Sequence, residues 1–364
     1  MTSPETNTSK HRAVLVLPHI RVQNANAISS PMTWGFPAIT AFTGTMTALE
    51  RRLGRDAGIA FFAVGVVCHG FEAQVTTAGY TRAFHLTRNP VDKDGSTPGI
   101  VEEGRMHLDI TLVFDVEIGD AHLDEAQAAA LAQQVAHQMA GMRLAGGSVM
   151  PALPGAVRQP TRPSLHRVPD GWQGNASDSD RAAHSQWFRK LSRRWLPGFA
   201  LVSRDDLMQS RLAELRTADP ATSTTPTALH AWLDLCSWTS RAVLQPVPPG
   251  SEQPPKADWV ADPRAGWTVP IPVGFASLSA LHKPGTVGGA RDGHTPFRFV
   301  ETVWSIGQWV SPHRLRSVAD LVWLPDNDHI PDDPDHQTLY RCVNHYAPSP
   351  NFAENAAADH SSTH

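Results

Sequence analysis

The hydrophobic pattern of the first half predicts strands alternating with helices. Ala13 to Leu17 (AVLVL) is a short apolar run and reads as a buried strand. A polar stretch, RVQNANAISSPMTWGFP, follows it and reads as a loop. Thr40 is placed to cap a helix carrying Phe42, Met46, Leu49 and Leu53 at helical spacing, with Gly54 ending it. Phe61 to Val67 (FFAVGVV) reads as a second strand. Leu108, Ile110, Leu112, Phe114 and Val116 alternate strictly, the mark of a half-buried strand. A helix is expected from about Leu123 to Leu144, with Leu131, Val135, Met139 and Met142 on its core face and Gly146-Gly147 stopping it.

Between the second and third strands, residues 76–105 are rich in Gly, Pro, Asp and Arg, so this insertion is expected to project as a hairpin arm. One more strand would complete βαββαβ, the order of an α+β ferredoxin-like, RRM-like core. Phe199 to Val202, or the segment near Ser148, is the candidate for it. The second half is less regular. Short helices are expected around Trp187–Trp195, from Asp205, and over Thr227 to Val243. A Pro-rich connection spans 246–270, and Val273 to Leu278 reads as a strand. The expected organisation is a disordered N-terminus (1–11), an RRM-like core (12–205) with its thumb-like arm at about 76–105, a helical and irregular part packed on that core (206–324), and an acidic, partly disordered tail (325–364).

Composition narrows the class. An apolar fraction of 41% over 364 residues is ample for a core, and 18% charge does not look like disorder. There is no apolar run of about 18 residues, so no membrane span is expected. The start lacks a basic-then-apolar pattern, so no secretory signal is expected either. Cys68, Cys236 and Cys342 are too far apart for a metal knuckle or a disulfide framework, which fits a cytoplasmic location. The net charge of -4 is uneven. Residues 319–364 hold eight acids and one base, which leaves +3 on the rest, and residues 158–216 carry eleven Lys/Arg against six Asp/Glu. A basic body with an acidic tail permits RNA contact, although solvated charges alone would give the same count.

Common catalytic signatures are absent. There is no phosphate loop, no HExxH, no paired CxxC and no GxSxG, so no catalytic residue, metal or cofactor is assigned. A polar cluster after the first strand stands out instead. Arg21, Gln23, Asn24 and Asn26 offer forked donors and acceptors suited to bases and phosphates, Ser30 adds a hydroxyl, and Trp34 could stack on a base. The plainer alternative is a loop whose Asn and Ser side chains bond their own backbone. In MRLAGGSV (142–149), Gly146 and Gly147 would let a phosphate backbone approach beside Arg143, or would simply end a helix. In ARDGHTPFRFVE (290–301), Arg291 and Arg298 flank His294 in what is either a site or a solvated turn.

The run LPHIRVQNANAISSPMTWGFPAITAFTG (Leu17 to Gly44) resembles the opening of the Csy2 family, the subunit of the type I-F CRISPR Csy complex that holds the five-prime handle of the guide RNA. VGVVCHGFEAQV, MRLAGGSV, LPGFALVSRDDL and TPFRFVETVWSIGQWVSPHRL follow in that family's order. The resemblance implies an RRM-like core with a thumb hairpin and a non-catalytic, RNA-binding role. The implied partners are the guide RNA, the large Csy-one subunit as heterodimer, an adjacent Csy-three backbone subunit and, through the complex, target double-stranded DNA. It places handle contacts at Arg21, Gln23, Asn24 and Asn26, at Arg143, Gly146 and Gly147, at Arg291 and Arg298, and on the thumb at Tyr80, Arg82 and Arg88. Two alternatives stand beside it. One is a guide-processing endoribonuclease using His69, Tyr80 or His107; the other is a purely structural clamp for the large subunit.

Overall fold

The computed structural model describes residues 11–79, 81–87, 91, 94–97, 99–119, 123–151, 162–169, 177–218, 225–245, 256–261, 264, 266–290, 292–326 and 338–348. Tyr80, Arg88 and Arg291 lie outside them. The chain is α+β, with a large antiparallel sheet and, among the described residues, six α-helices. None of these helices is long and apolar enough to cross a membrane.

The chain divides into two units. The first comprises Met1–Val202, Ile271–Trp304 and Val310–Tyr346; the second comprises Ser203–Pro270, Ser305–Trp309 and Ala347–His364. Three long strands dominate the first unit. They are His11–Asn26, Ile59–Ala73 and Arg105–Ile118, and all three outrun their sequence expectations. The third lies between the other two and is antiparallel to both, with Leu15 opposite Phe114 and Val64 also opposite Phe114. Val14, Val16, Val67 and Val113 join Phe188, Leu191 and Trp195 in one buried cluster. The last three come from the helix Asp178–Ser192 and the turn after it.

The fourth strand is Gly147–Met150, paired antiparallel to the first strand, so the spatial order is fourth, first, third, second. Phe199–Ser203, the other candidate, instead joins the free side of the second strand through Phe199 opposite Cys68. The helices Ile39–Leu53 and Glu125–Ala140 link these strands. The first starts from Ala38, in extended conformation after Pro37, and not from a Thr40 cap. The second starts from Asp124, whose carboxylate accepts the Gln127 amide in a reciprocal capping box.

Other boundaries also moved. The glycine pair does not end a helix. The second helix closes at Gly141, and Arg143–Leu144 turns back on Gly147–Met150 through Ala145 and Gly146, at φ 48° and 78°. Two successive positive φ values are the requirement of a two-residue hairpin turn whose twist matches the strands. The insertion forms two short ladders, Val75–Ala78 with Thr81–Phe84 and Leu86–Thr87 with Val101–Glu102. Leu339–Asn344, in the stretch read as a tail, is a strand paired with Thr268–Ser277 and Trp323–Asp326.

In the second unit, the stretch read as one helix over Thr227 to Val243 is a helix, Ala228–Cys236, followed by a strand, Ser240–Leu244. That strand pairs with Ala257–Ala261 inside the stretch read as a connection. Arg204 is buried there, held by Asp206 at 2.9 Å and by Gln308.

Candidate nucleic-acid interface

The polar run read as a loop is strand. Arg21, Val22 and Gln23 stand opposite Met150, Val149 and Ser148 on one side, and Arg21 and Val22 stand opposite Asp109 and Leu108 on the other. The ladder slips between Leu17 and Ile20 and again between Val22 and Ala25, with His19 at φ 49° and Asn24 at φ 59° marking the two bulges. A bulge bends a strand and re-aims its side chains. Here Val22, Ala25 and Ala27 are buried, while Gln23, Asn24 and Asn26 are exposed. A strand without bulges would have buried one of the adjacent pair Gln23 and Asn24.

Two sequence motifs meet at this end of the sheet. The Asn26 amide donates to the Ala145 carbonyl at 2.8 Å, which ties the first strand to the hairpin turn. Gly147 is required by contact: a Cβ there would lie 2.7 Å from the Ala25 nitrogen and the Gln23 carbonyl oxygen. Arg143 stands opposite Ser148 in the hairpin and is exposed beside exposed Gly146. Arg21 and Gln23 line a cavity of about 220 Å³ with Glu72, His107, Leu108 and Met150.

Their hydrogen bonding separates post from probe. Asn26 is spent on its own chain, donating to the Ile28 carbonyl at 2.7 Å and accepting the Ile28 amide at 3.1 Å. Ser30 is buried, 2.6 Å from the Thr33 hydroxyl, and accepts from the Trp304 indole at 2.9 Å. These residues follow the plainer alternative for the run. The Asn24 carbonyl oxygen accepts from Gln74 at 2.7 Å, and the same Gln74 nitrogen lies 3.0 Å from His107 Nε2. The Asn24 amide donates to His107 Nδ1 at 3.3 Å. Arg21, Gln23, Arg82 and Arg143 make no side-chain hydrogen bond or ion pair with a described residue.

Trp34 and Arg82 share a second cavity, of about 460 Å³, with Ile28, Met32, Val75 and Phe84. Trp34 is 48% exposed and meets the Phe84 ring edge-on at 5.7 Å. Gly104 is packed beneath, where a Cβ would lie 2.5 Å from Ile28 Cγ1. Arg298 is not brought to these cavities. It is half-buried and donates to the Thr338 hydroxyl.

A histidine cluster was not visible as such in the sequence. His19 and His69 stack with ring centroids 4.2 Å apart. His19 Nδ1 donates to Asp109 at 3.0 Å. His69 Nδ1 donates to the Pro197 carbonyl at 2.7 Å, so its Nε2 accepts from the Thr111 hydroxyl, also at 2.7 Å. That hydroxyl accepts the His19 amide in turn, at 3.3 Å. Burial pushes His69 below the usual histidine range, and it pushes the neighbouring Cys68 thiol up to about 12. Gln74, His107 and Asp109 arrive through strand register, which no short motif announces.

The chain belongs to the Cas_Csy2 family of CRISPR-associated proteins, whose model matches residues 15–342. Both cavities and every candidate contact fall within that match. The chain is 45% identical over 351 residues to CRISPR-associated protein Csy2 of Pseudomonas aeruginosa strain UCBPP-PA14, covering 95% of this chain and 98% of that relative.

Proposed function

We propose that this protein is a non-catalytic subunit of a type I-F CRISPR surveillance complex in the cytoplasm and that it binds the five-prime handle of the guide RNA. One observation carries the reading. Asn26 to Ala145, and Gly147 against Gln23, join the two motifs at one sheet end, where Arg21, Gln23 and Arg143 are left uncommitted. Uncommitted guanidinium and amide groups around a small cavity suit phosphates and base edges. The fourth–first–third–second strand order supports the ferredoxin-like, RRM-like core. The paired strands at Val75–Phe84 support a thumb that offers Arg82 and, by sequence, Tyr80 and Arg88. Arg291 and Arg298 are proposed contacts on the late motif. The large Csy-one subunit, an adjacent Csy-three subunit and target DNA are the proposed partners.

Geometry weighs against the endoribonuclease alternative. A general base needs a free nitrogen near its substrate. Both ring nitrogens of His69 are engaged within the fold, and His107 Nδ1 accepts the Asn24 amide.

The test is a titration at fixed salt, with the chain co-expressed with the large subunit and offered a guide RNA bearing its own or a scrambled handle. Affinity is expected to fall on scrambling and to fall about tenfold or more with Arg21→Ala plus Asn24→Ala. Equal affinity for both RNAs sinks handle recognition. RNA shortened in the same tubes would move catalysis to first place.

A further inference from the structure

A second feature lies on the helix Asp178–Ser192 and the single turn after it. Phe188, Leu191, Ser192 and Trp195 are buried, which fixes the rotation of this segment. Arg189, Lys190, Arg193 and Arg194 are therefore all turned to solvent. These are four cations in six residues. None makes an ion pair with a described residue.

The helix has its own acids, but at the wrong end. Asp178 lies 3.7 Å from Arg181, and Asp180 serves the Ser177 cap. Both are about 15 Å from the nearest cation at 1.5 Å per residue, and farther from the others. Pairs of like charge at i and i+4, here Arg189 with Arg193 and Lys190 with Arg194, repel and disfavour the helix. The partial negative charge of the helix C-terminus favours Arg189 and Lys190 in its last turn, but Arg193 and Arg194 follow the helix and add two more cations to the same face. Ala182, Gln186, Arg189, Lys190 and Arg193 line an open depression of about 590 Å³.

We propose that this face is a phosphodiester-backbone surface, a second nucleic-acid contact made of residues that take no part in the sheet-end interface. Its donors form two adjacent pairs about one turn apart, Arg189-Lys190 and Arg193-Arg194, which suits successive phosphates of a polyanion better than one small anion. Three of the four cations are arginines, whose planar forks match phosphate oxygens in pairs. No large apolar side chain of this helix is strongly exposed, so the face lacks what a lipid surface would take. The chemistry is shared by duplex DNA and by single-stranded RNA, and the experiment separates them.

The full-length chain is titrated by fluorescence anisotropy against a random-sequence DNA duplex and against single-stranded RNA without a handle, from about 50 to 200 mM salt. Because neither probe carries the handle, failure of the handle reading leaves this test intact. Replacing all four cations by glutamine (R189Q/K190Q/R193Q/R194Q) is expected to flatten the slope of log affinity against log salt. The change is about 3–4 on duplex, or about 3 on single strands. A charge-keeping variant (R189K/R193K/R194K) is expected to hold the slope. A change on duplex alone assigns the face to DNA, on RNA alone to the guide, and on both to either backbone; each upholds the proposal. Unchanged slopes with both probes overturn it, leaving an acidic protein as the occupant. An equal loss in the lysine variant overturns it as well, since the charge is then still present.

Discussion

Two polar clusters lie along the first strand, one at each bulge, and they do opposite things. At His19, the cluster with His69, Asp109 and Thr111 is bonded to itself and to the Pro197 carbonyl, all within the fold. At Asn24, the cluster with Gln74 and His107 secures the backbone but leaves Arg21 and Gln23 without a partner among the described residues. The same device, a positive φ that slips the ladder, builds a post in one place and a presented edge in the other. The lesson is that residue type does not distinguish structural groups from candidate contacts here, since histidines occur in both clusters. What distinguishes them is whether their hydrogen-bonding capacity is spent.

The sharpest way to break the comparison is Gly147→Val. Its side chain would meet backbone at Ala25 and Gln23. The hairpin should be pushed off the first strand, lowering stability by about 1–3 kcal/mol and handle affinity by more than tenfold. Thermal melts and anisotropy read the two effects, and retention of both would show that the motifs are independent. His69→Ala should do the reverse. It strands the Pro197 carbonyl and the Thr111 hydroxyl, for about 1–3 kcal/mol of stability, with handle affinity unchanged in molecules that remain folded. An affinity loss larger than the folding loss would place the histidine cluster in the interface.

Smaller in size is the effect of pH. Burial lowers His69, His166 and His184 from their ordinary 6.5, so the unfolded chain takes up protons that the folded chain refuses. Their contribution to stability is complete above about 6.5 and is lost as pH falls below it. Denaturant melts from pH 8 to 5 should show this decline, and it should be shallower in His69→Gln. The smallest effect is expected from Gly146→Ala. At φ 78° with open space around it, the added methyl costs about 1 kcal/mol in melts and leaves affinity almost intact.

Much of the frame was legible in the sequence because its periods were clean. The alternation from Leu108 to Val116 and the helical stripes near Met46 and Val135 fell where the structure has strand and helices. The strand's continuation through Arg21 to Asn26 was not legible, because its two bulges break the alternation that marks a strand. The turn at Ala145-Gly146 was missed for a related reason. An alanine at positive φ is an unusual turn residue, and here a long-range bond from Asn26 fixes it. In the second unit, Thr227 to Val243 reads as one helix, and only Ser237 to Thr239 signals the change to strand. The arginines and amides of the interface were visible as a cluster of types. That Asn26 and Ser30 are spent internally depended on partners up to 274 residues away, such as Trp304.

Among the described residues, the hairpin that carries Arg143 is also the outermost element beside the Arg21–Gln23 end of the first strand, ahead of the fourth strand in the spatial order. It contributes two residues, Arg143 and Leu144, and one of them is a charged side chain. A long, bare outer strand invites another chain to add itself and start a fibre. A rim this short and this charged offers almost nothing to extend. The same arginine that is proposed as a handle contact thus also guards this rim against joining a second copy edge to edge.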